Sequence, residues 1–366
     1  MKFNCHLIIH RLSAILLATT IFANLSITSA LATTSKNPFQ DVSENAPYAE
    51  AVQYVYDRGI SHGTGATTFS PNNHITYGEL SLMLCRMHYP DESWTIESAT
   101  NYVRDRMGYV VDPMEVQHSR VMNTTAYQAI LSFSSCPVYS QVLYEPEIDE
   151  ADQLDDGIYT AIRLGLCDEA DTEQRLITRG EAVQILYKTS QTNLALPAPP
   201  IVDKLNVKID EDFKGKCAPY LEAASKLPEV ILNRFDDEGW SLVIGNDFID
   251  QWSTENKTSA AGLTHYANKS IYVRSSTSVT HEFGHFLHSE LGRPLIVGDL
   301  FEKEVDQAKP VIGNYAATNK NEYFAEFFEK WFDDTDVWLQ RLQEAAPETY
   351  AYFAKLEKQG WLPERT

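Results

Sequence analysis

The chain has 366 residues, with 30 Lys and Arg against 51 Asp and Glu, for a formal net charge of −21. That length exceeds one typical core and implies two or more domains. An excess of carboxylates this large argues against nucleic acid as a partner, because phosphates demand Lys and Arg.

Residues 1–32 read as an export signal. Lys2 and Arg11 precede an apolar run from Leu12 to Ile27, and Ala30-Leu31-Ala32 supplies a small–x–small cleavage pattern. The run is short for a bilayer span and is interrupted by Asn24, Ser26 and Thr28, which favours cleavage over a retained anchor. No other stretch is apolar enough to cross a membrane, so the mature chain is expected to be secreted. Beyond Cys5, the cysteines Cys85, Cys136, Cys167 and Cys217 form no CxxC pair, which argues against a cysteine zinc site. Disulfides and buried free thiols are equally open for them.

Residues 33–90 begin with Phe39-Gln40-Asp41-Val42 and a helical pattern carrying Ala51, Val52 and Val55 on one side, ended by Gly59-Ile60. After a glycine-punctuated loop, Thr76 and Glu79 make a capping box for a second helix with Leu80, Met83, Leu84 and Met87 as its apolar face. The outline recurs over residues 91–136, more faintly, through Val103, Gly108-Tyr109 and Asn123-Thr124-Thr125-Ala126. It recurs again over residues 137–190, where Gly165-Leu166 leads to Thr178-Arg179-Gly180-Glu181. A period near fifty residues is the mark of a repeat array.

The first unit, FQDV…AVQYVYDRGISHGTG…FSPNNHITYGE, resembles the surface-layer homology repeat, and the resemblance extends over three copies. It implies an all-α three-repeat trefoil that anchors secreted proteins to anionic cell-wall polysaccharide of Gram-positive-type bacteria. The family's helix-start arginine, its glycan contact, survives as Arg179 in the third copy. Tyr77 and Thr125 stand in its place in the first two.

Residues 191–202 read as a linker stiffened by Pro197, Pro199 and Pro200. From residue 203 to 366 the pattern turns to mixed α/β. A helix is expected from Cys217 to Leu227, a buried strand over Trp240–Gly245, and a half-buried strand over Ser270–Arg274. A helix bearing His281-Glu282-Phe283-Gly284-His285 follows, with Ser278 or Thr280 as its cap and Gly292 and Pro294 at its end.

Residues four apart on a helix share a face, so His281 and His285 can bind one zinc ion, with Glu282 placed to reach a water on that metal. A tetrahedral site needs a third protein ligand. The position six after His285 is Leu291, which cannot supply it, and His288 lies too close in sequence to wrap round the ion. The later helix Asn321–Phe328 offers Glu322 and Glu326 one turn apart on one face. One carboxylate can bind metal while the other hydrogen-bonds a ligand from behind.

HEFGH, then Tyr315, then EYFAE beginning seven residues later at Glu322, resembles the anthrax-lethal-factor-like peptidases, including the secreted Pro-Pro endopeptidases. The resemblance implies an α+β zincin-type metallopeptidase domain with one catalytic zinc ion. It assigns His281, His285 and Glu322 as ligands, Glu282 as the base, Tyr315 as the oxyanion donor and Glu326 as a supporting carboxylate. His288 stands where that family usually has an acidic residue. Together the two resemblances imply a wall-associated, secreted zinc endopeptidase acting on peptides or proteins, with proline near the cut as an expectation from the relatives. The alternative is a wall-binding protein whose peptidase scaffold is inactive; a peptidoglycan amidase is a third reading without a sequence feature of its own.

Overall fold

The computed structural model describes residues 38–107, 113–168, 171–332 and 336–363, and these described residues belong to one compact unit. The export segment expected over residues 1–32 lies outside the described residues, as do Gly108 and Tyr109. Among the described residues no helix is long and apolar enough to cross a membrane.

The repeat half consists of α1 (Ala49–Asp57), α2 (Tyr77–His88), α3 (Ile96–Met107), α4 (Pro113–His118), α5 (Asn123–Phe133), α6 (Asp156–Arg163) and α7 (Arg179–Gln191). Both α2 and α7 start at a capping box, Thr76 with Glu79 and Thr178 with Glu181, which satisfies backbone donors that an uncapped helix leaves unpaired. The segments before α2, α5 and α7 meet in a closed ring. Ile75 N–H donates to the Ile177 carbonyl (3.2 Å), Ile177 N–H to Val121 (3.0 Å), and Val121 N–H to Ile75 (3.1 Å). All three side chains are buried in the first hydrophobic core with Val52, Leu84, Ile130 and Val183.

This ring fixes the register of the repeats. Tyr77, Asn123 and Arg179 each open a helix one residue after a ring segment, so the counterpart of Arg179 in the second copy is Asn123 rather than Thr125. Asn123 ties the second copy to the third by donating to the Asp171 and Glu173 carbonyls and accepting from Arg175 N–H. Arg179 corrects a second expectation. It is buried, donates to the Phe69 carbonyl (3.0 Å) and pairs with Glu79 (2.9 Å). A cation consumed inside the fold is not presented to a glycan.

The second half begins with α8 (Pro200–Lys204), inside the expected linker. Ile201 is buried in the second core, so this stretch is not a free tether. There follow β1 (Lys208–Ile209), α9 (Ala218–Ser225), α10 (Glu229–Asp237), β2 (Ser241–Ile244), α11 (Asp247–Asn256), β3 (Gly262–His265) and β4 (Ser270–Val273). The remaining helices are α12 (Ser278–Glu290), α13 (Leu295–Ile312), α14 (Lys320–Trp331), α15 (Asp336–Ala345) and α16 (Pro347–Lys358). The sheet order is β1-β2-β4-β3, with β1, β2 and β4 parallel and β3 antiparallel to β4, Gly262 opposite Val273. Strands β2 and β4 are buried on both sides along most of their length, as interior parallel strands require. The segment from Ser270 is therefore internal, and the edges of the sheet are β1 and β3, the four residues of β3 all being half-buried.

The two cores are joined by more than the chain connection. Tyr139 and Leu143, within the span expected for the third repeat, pack into the second core. Val138 N–H donates to the Lys214 carbonyl (3.0 Å), the Gln128 amide to Gly215 (3.0 Å), and the Lys216 ammonium to Arg106 (2.9 Å). A Cβ on Gly215 would lie 1.5 Å from Ser132 Oγ and 2.8 Å from its Cα, so α5 rests directly on the Gly215 backbone. The four cysteines beyond the export segment are free thiols, and no disulfide among the described residues staples this arrangement. Gly215→Ala is expected to destabilise the protein by about 1–3 kcal/mol through overpacking. Because the joint is shared, both cores should lose stability together in urea, followed by tryptophan fluorescence and far-UV circular dichroism. A variant in which one half unfolds at its wild-type midpoint contradicts the shared joint.

Candidate metal centre

Helix α12 divides into two faces. Val279, Phe283, Phe286 and Leu287 are fully buried in the second core, while His281, Glu282 and His285 face a cleft of about 600 Å³. Thr277 occupies the N-cap position without a side-chain capping bond, so neither Ser278 nor Thr280 caps the helix as expected. Gly292, in the left-handed region at φ 74°, closes the far end. Gly284 lies in the middle of the helix, where glycine is ordinarily unfavourable. Its place is explained by α14: a Cβ there would lie 2.9 Å from Ala325 Cα.

Helix α14 is capped by Asn319, whose side-chain oxygen accepts from Asn321 N–H and Glu322 N–H. That cap sets the first turn and presents Glu322 to α12. Its Oε2 lies 3.2 Å from His281 Nε2 and 3.1 Å from His285 Nε2. Donor atoms at about 2.0–2.1 Å from a tetrahedral ion stand about 3.3 Å apart, so this spacing fits a zinc-sized cation. On the other side of the His281 ring, Nδ1 faces Glu326 at 3.4 Å and Glu329 at 3.7 Å. A ligating imidazole holds its tautomer by donating its second N–H to such a carboxylate.

Burial disfavours a charged His281, but hydrogen bonds to Glu322 and Glu326 and the charge of Glu282 outweigh it and push its pKa up to about 10. Burial likewise disfavours an ionised Glu322, yet the bonds from the two histidines hold its pKa down to about 2. Glu282 is raised, chiefly by burial and against the pull of His285 and His281. The Thr264 hydroxyl of β3 donates to Glu282 Oε2 (2.7 Å), and a Cβ on Gly262 would come within 2.6 Å of Oε1. The edge strand therefore holds this carboxylate from both sides.

Tyr315 stands on a short 3-10 turn, Asn314–Ala317, after Gly313, whose φ of 104° suits glycine. Its ring lies 6.1 Å from that of His281 and is half exposed to the cleft. Burial and the carboxylates Glu322, Glu282 and Glu326 raise the phenol, which stays a proton donor near neutrality. His288 is not among the donors; it stacks on Phe324 with ring centroids 4.6 Å apart, and burial lowers its pKa to about 4.

Sequence reasoning missed Glu329 and Thr264. Glu329 lies three residues after Glu326 on the same face of α14, a signal that was available. Thr264 enters only through strand pairing.

The S-layer homology domain model matches residues 38–81, and the model for anthrax toxin lethal factor, N- and C-terminal domain, matches residues 201–356. No curated protein matches the chain. The chain thus carries an S-layer homology domain followed by a lethal-factor-like domain. That pairing fits a surface-associated, metallopeptidase-like protein of a generally zinc-dependent family.

In the metal-free protein the raised His281 contributes stability fully present below its unfolded pKa near 6.5 and lost as pH rises through about 10. The depressed Glu322 contributes stability present above about 4.5 and lost as pH falls through about 2. At neutral pH, a zinc ion bound here would therefore have to displace one proton from His281. The apparent zinc affinity should rise about tenfold per pH unit between about pH 7 and 9, measured by competition with a chelator. An affinity independent of pH over that range would contradict a protonated His281.

Proposed function

We propose that the chain is an exported zinc endopeptidase: residues 1–32 direct export, the three repeats form a trefoil that holds the protein at the cell wall, and the zincin-type domain cuts peptide bonds in extracellular or surface proteins. The observation that carries this reading is the convergence of His281, His285 and Glu322 from two helices, with donor atoms within 4.8 Å of one another and Glu282 adjacent. Those three residues would hold the ion. When bound, zinc lowers the pKa of a coordinated water to about 7 and polarises a carbonyl.

Glu282, whose burial raises its affinity for protons, takes a proton from water and passes it to the leaving amine. Thr264 fixes the carboxylate while it does so. Tyr315 donates to the oxygen on which negative charge develops, an interaction worth most when charge is greatest. Strand β3, antiparallel to β4 and unpaired on its other side within the sheet, offers backbone groups to an extended substrate along the cleft. Glu326 and Glu329 keep His281 oriented. Proline near the cut is the preference to test first.

Wild-type protein should bind one zinc ion by elemental analysis and cleave members of a mixed peptide library. Glu282→Gln should retain zinc and lose about 10²–10⁴-fold in kcat, and Tyr315→Phe about 10²-fold or more in kcat with little change in metal content. Stoichiometric zinc without cleavage would favour the inactive scaffold, and muropeptide digestion in place of peptide cleavage would favour the amidase. Full-length protein should also co-sediment with purified Gram-positive-type walls and lose that binding when the anionic polysaccharide is extracted. Equal sedimentation with stripped walls would remove the anchoring role.

A further inference from the structure

The cleft is uneven in charge. Beside the metal-binding residues it is lined by Glu282, Glu326 and Glu329, while Arg293 is the only permanent cation lining it among the described residues. Arg293 makes no ion pair among the described residues. It is nonetheless fixed. Gly292 and Arg293 both adopt left-handed conformations, at φ 74° and 51°. Arg293 N–H closes α12 on the His288 carbonyl (2.9 Å). The left-handed region is unusual for a residue with a Cβ and is kept where the surroundings over-determine it. The guanidinium lies 5.0 Å from the centre of the Tyr266 ring, and the Tyr266 hydroxyl donates to the His285 carbonyl (3.2 Å). The arginine is thus braced on a side chain anchored to the backbone of a metal-binding histidine. A second observation concerns the same end of the cleft. His288 also lines it, is almost fully buried, and its Nε2 has no hydrogen-bond partner among the described residues.

We propose that this end of the cleft is a subsite for a carboxylate of the peptide substrate, recognised by Arg293. The inference rests on the peptidase reading and adds a specificity to it. The occupant is an Asp or Glu side chain or the free carboxyl terminus, each able to accept two parallel N–H bonds from a guanidinium. The glutamates elsewhere in the cleft repel a carboxylate that binds in the wrong register, so the same charge that attracts at Arg293 also orients the chain.

The test uses zinc-loaded full-length protein. The specificity constant kcat/KM is measured on a cleavable peptide with Glu substituted for Gln at each position in turn, and on versions with a free or an amidated carboxyl terminus. One Glu position, or the free terminus, is expected to raise kcat/KM about tenfold over its neutral counterpart. Arg293→Gln should bring that ratio to about one, and Arg293→Lys should keep part of it. Which arm responds identifies the source of the carboxylate. A wild-type ratio near one in every arm, or a preference that survives Arg293→Gln, overturns the proposal. Calorimetric binding of the same peptides to Glu282→Gln protein reads the subsite without turnover. An Arg293-dependent preference there, with no cleavage by the wild type, retains the carboxylate site and discards the peptidase reading. Equal binding of acid and amide peptides overturns the subsite.

Discussion

The close approach of α12 to α14, at Gly284 against Ala325, is the constraint on which the site depends. Two imidazoles on one helix leave a tetrahedral ion short of a ligand. The carboxylate that completes the set must come from a second helix close enough for a short side chain to reach. Gly284 removes the Cβ that would hold the helices apart, and Asn319 fixes the turn from which Glu322 projects. Phe324, Phe327 and Phe328 bury α14 in the core, so the approach is held by apolar packing as well as by the charges it brings together.

Bringing acidic groups so near one another has an electrostatic cost. Glu282, Glu322, Glu326 and Glu329 share a cleft in a strongly acidic chain, and in the metal-free protein a proton on His281 offsets part of the repulsion. A divalent cation would replace that proton with twice the charge at the point where the carboxylates converge. Metal affinity and the geometry of the apo site therefore have a common electrostatic origin.

The repeat half and the peptidase-like half pack as one body. The Gly215–Ser132 contact, the Val138–Lys214 hydrogen bond and the burial of Tyr139 in the second core tie the two halves together. Wall attachment through the repeats would hold the cleft at a set orientation to the wall instead of on a loose leash. The proline-rich stretch contributes little reach, because Ile201 is already committed to the core.

Much of the site was legible in the sequence because helical periodicity places side chains locally: His281 with His285, and Glu322 with Glu326, are consequences of 3.6 residues per turn. The capping box at Thr76 was readable from local spacing in the same way. What the tertiary structure decided are relations between segments distant in the chain. The strand from Ser270 lies inside the sheet, with β1 and β3 at its edges, because pairing order is set by which strands are covered on both faces. Arg179 turned inward because the ring formed by Ile75, Val121 and Ile177 places its side chain over Phe69 and beside Glu79. Residue spacing along a chain determines which groups share a face; only packing determines what that face meets.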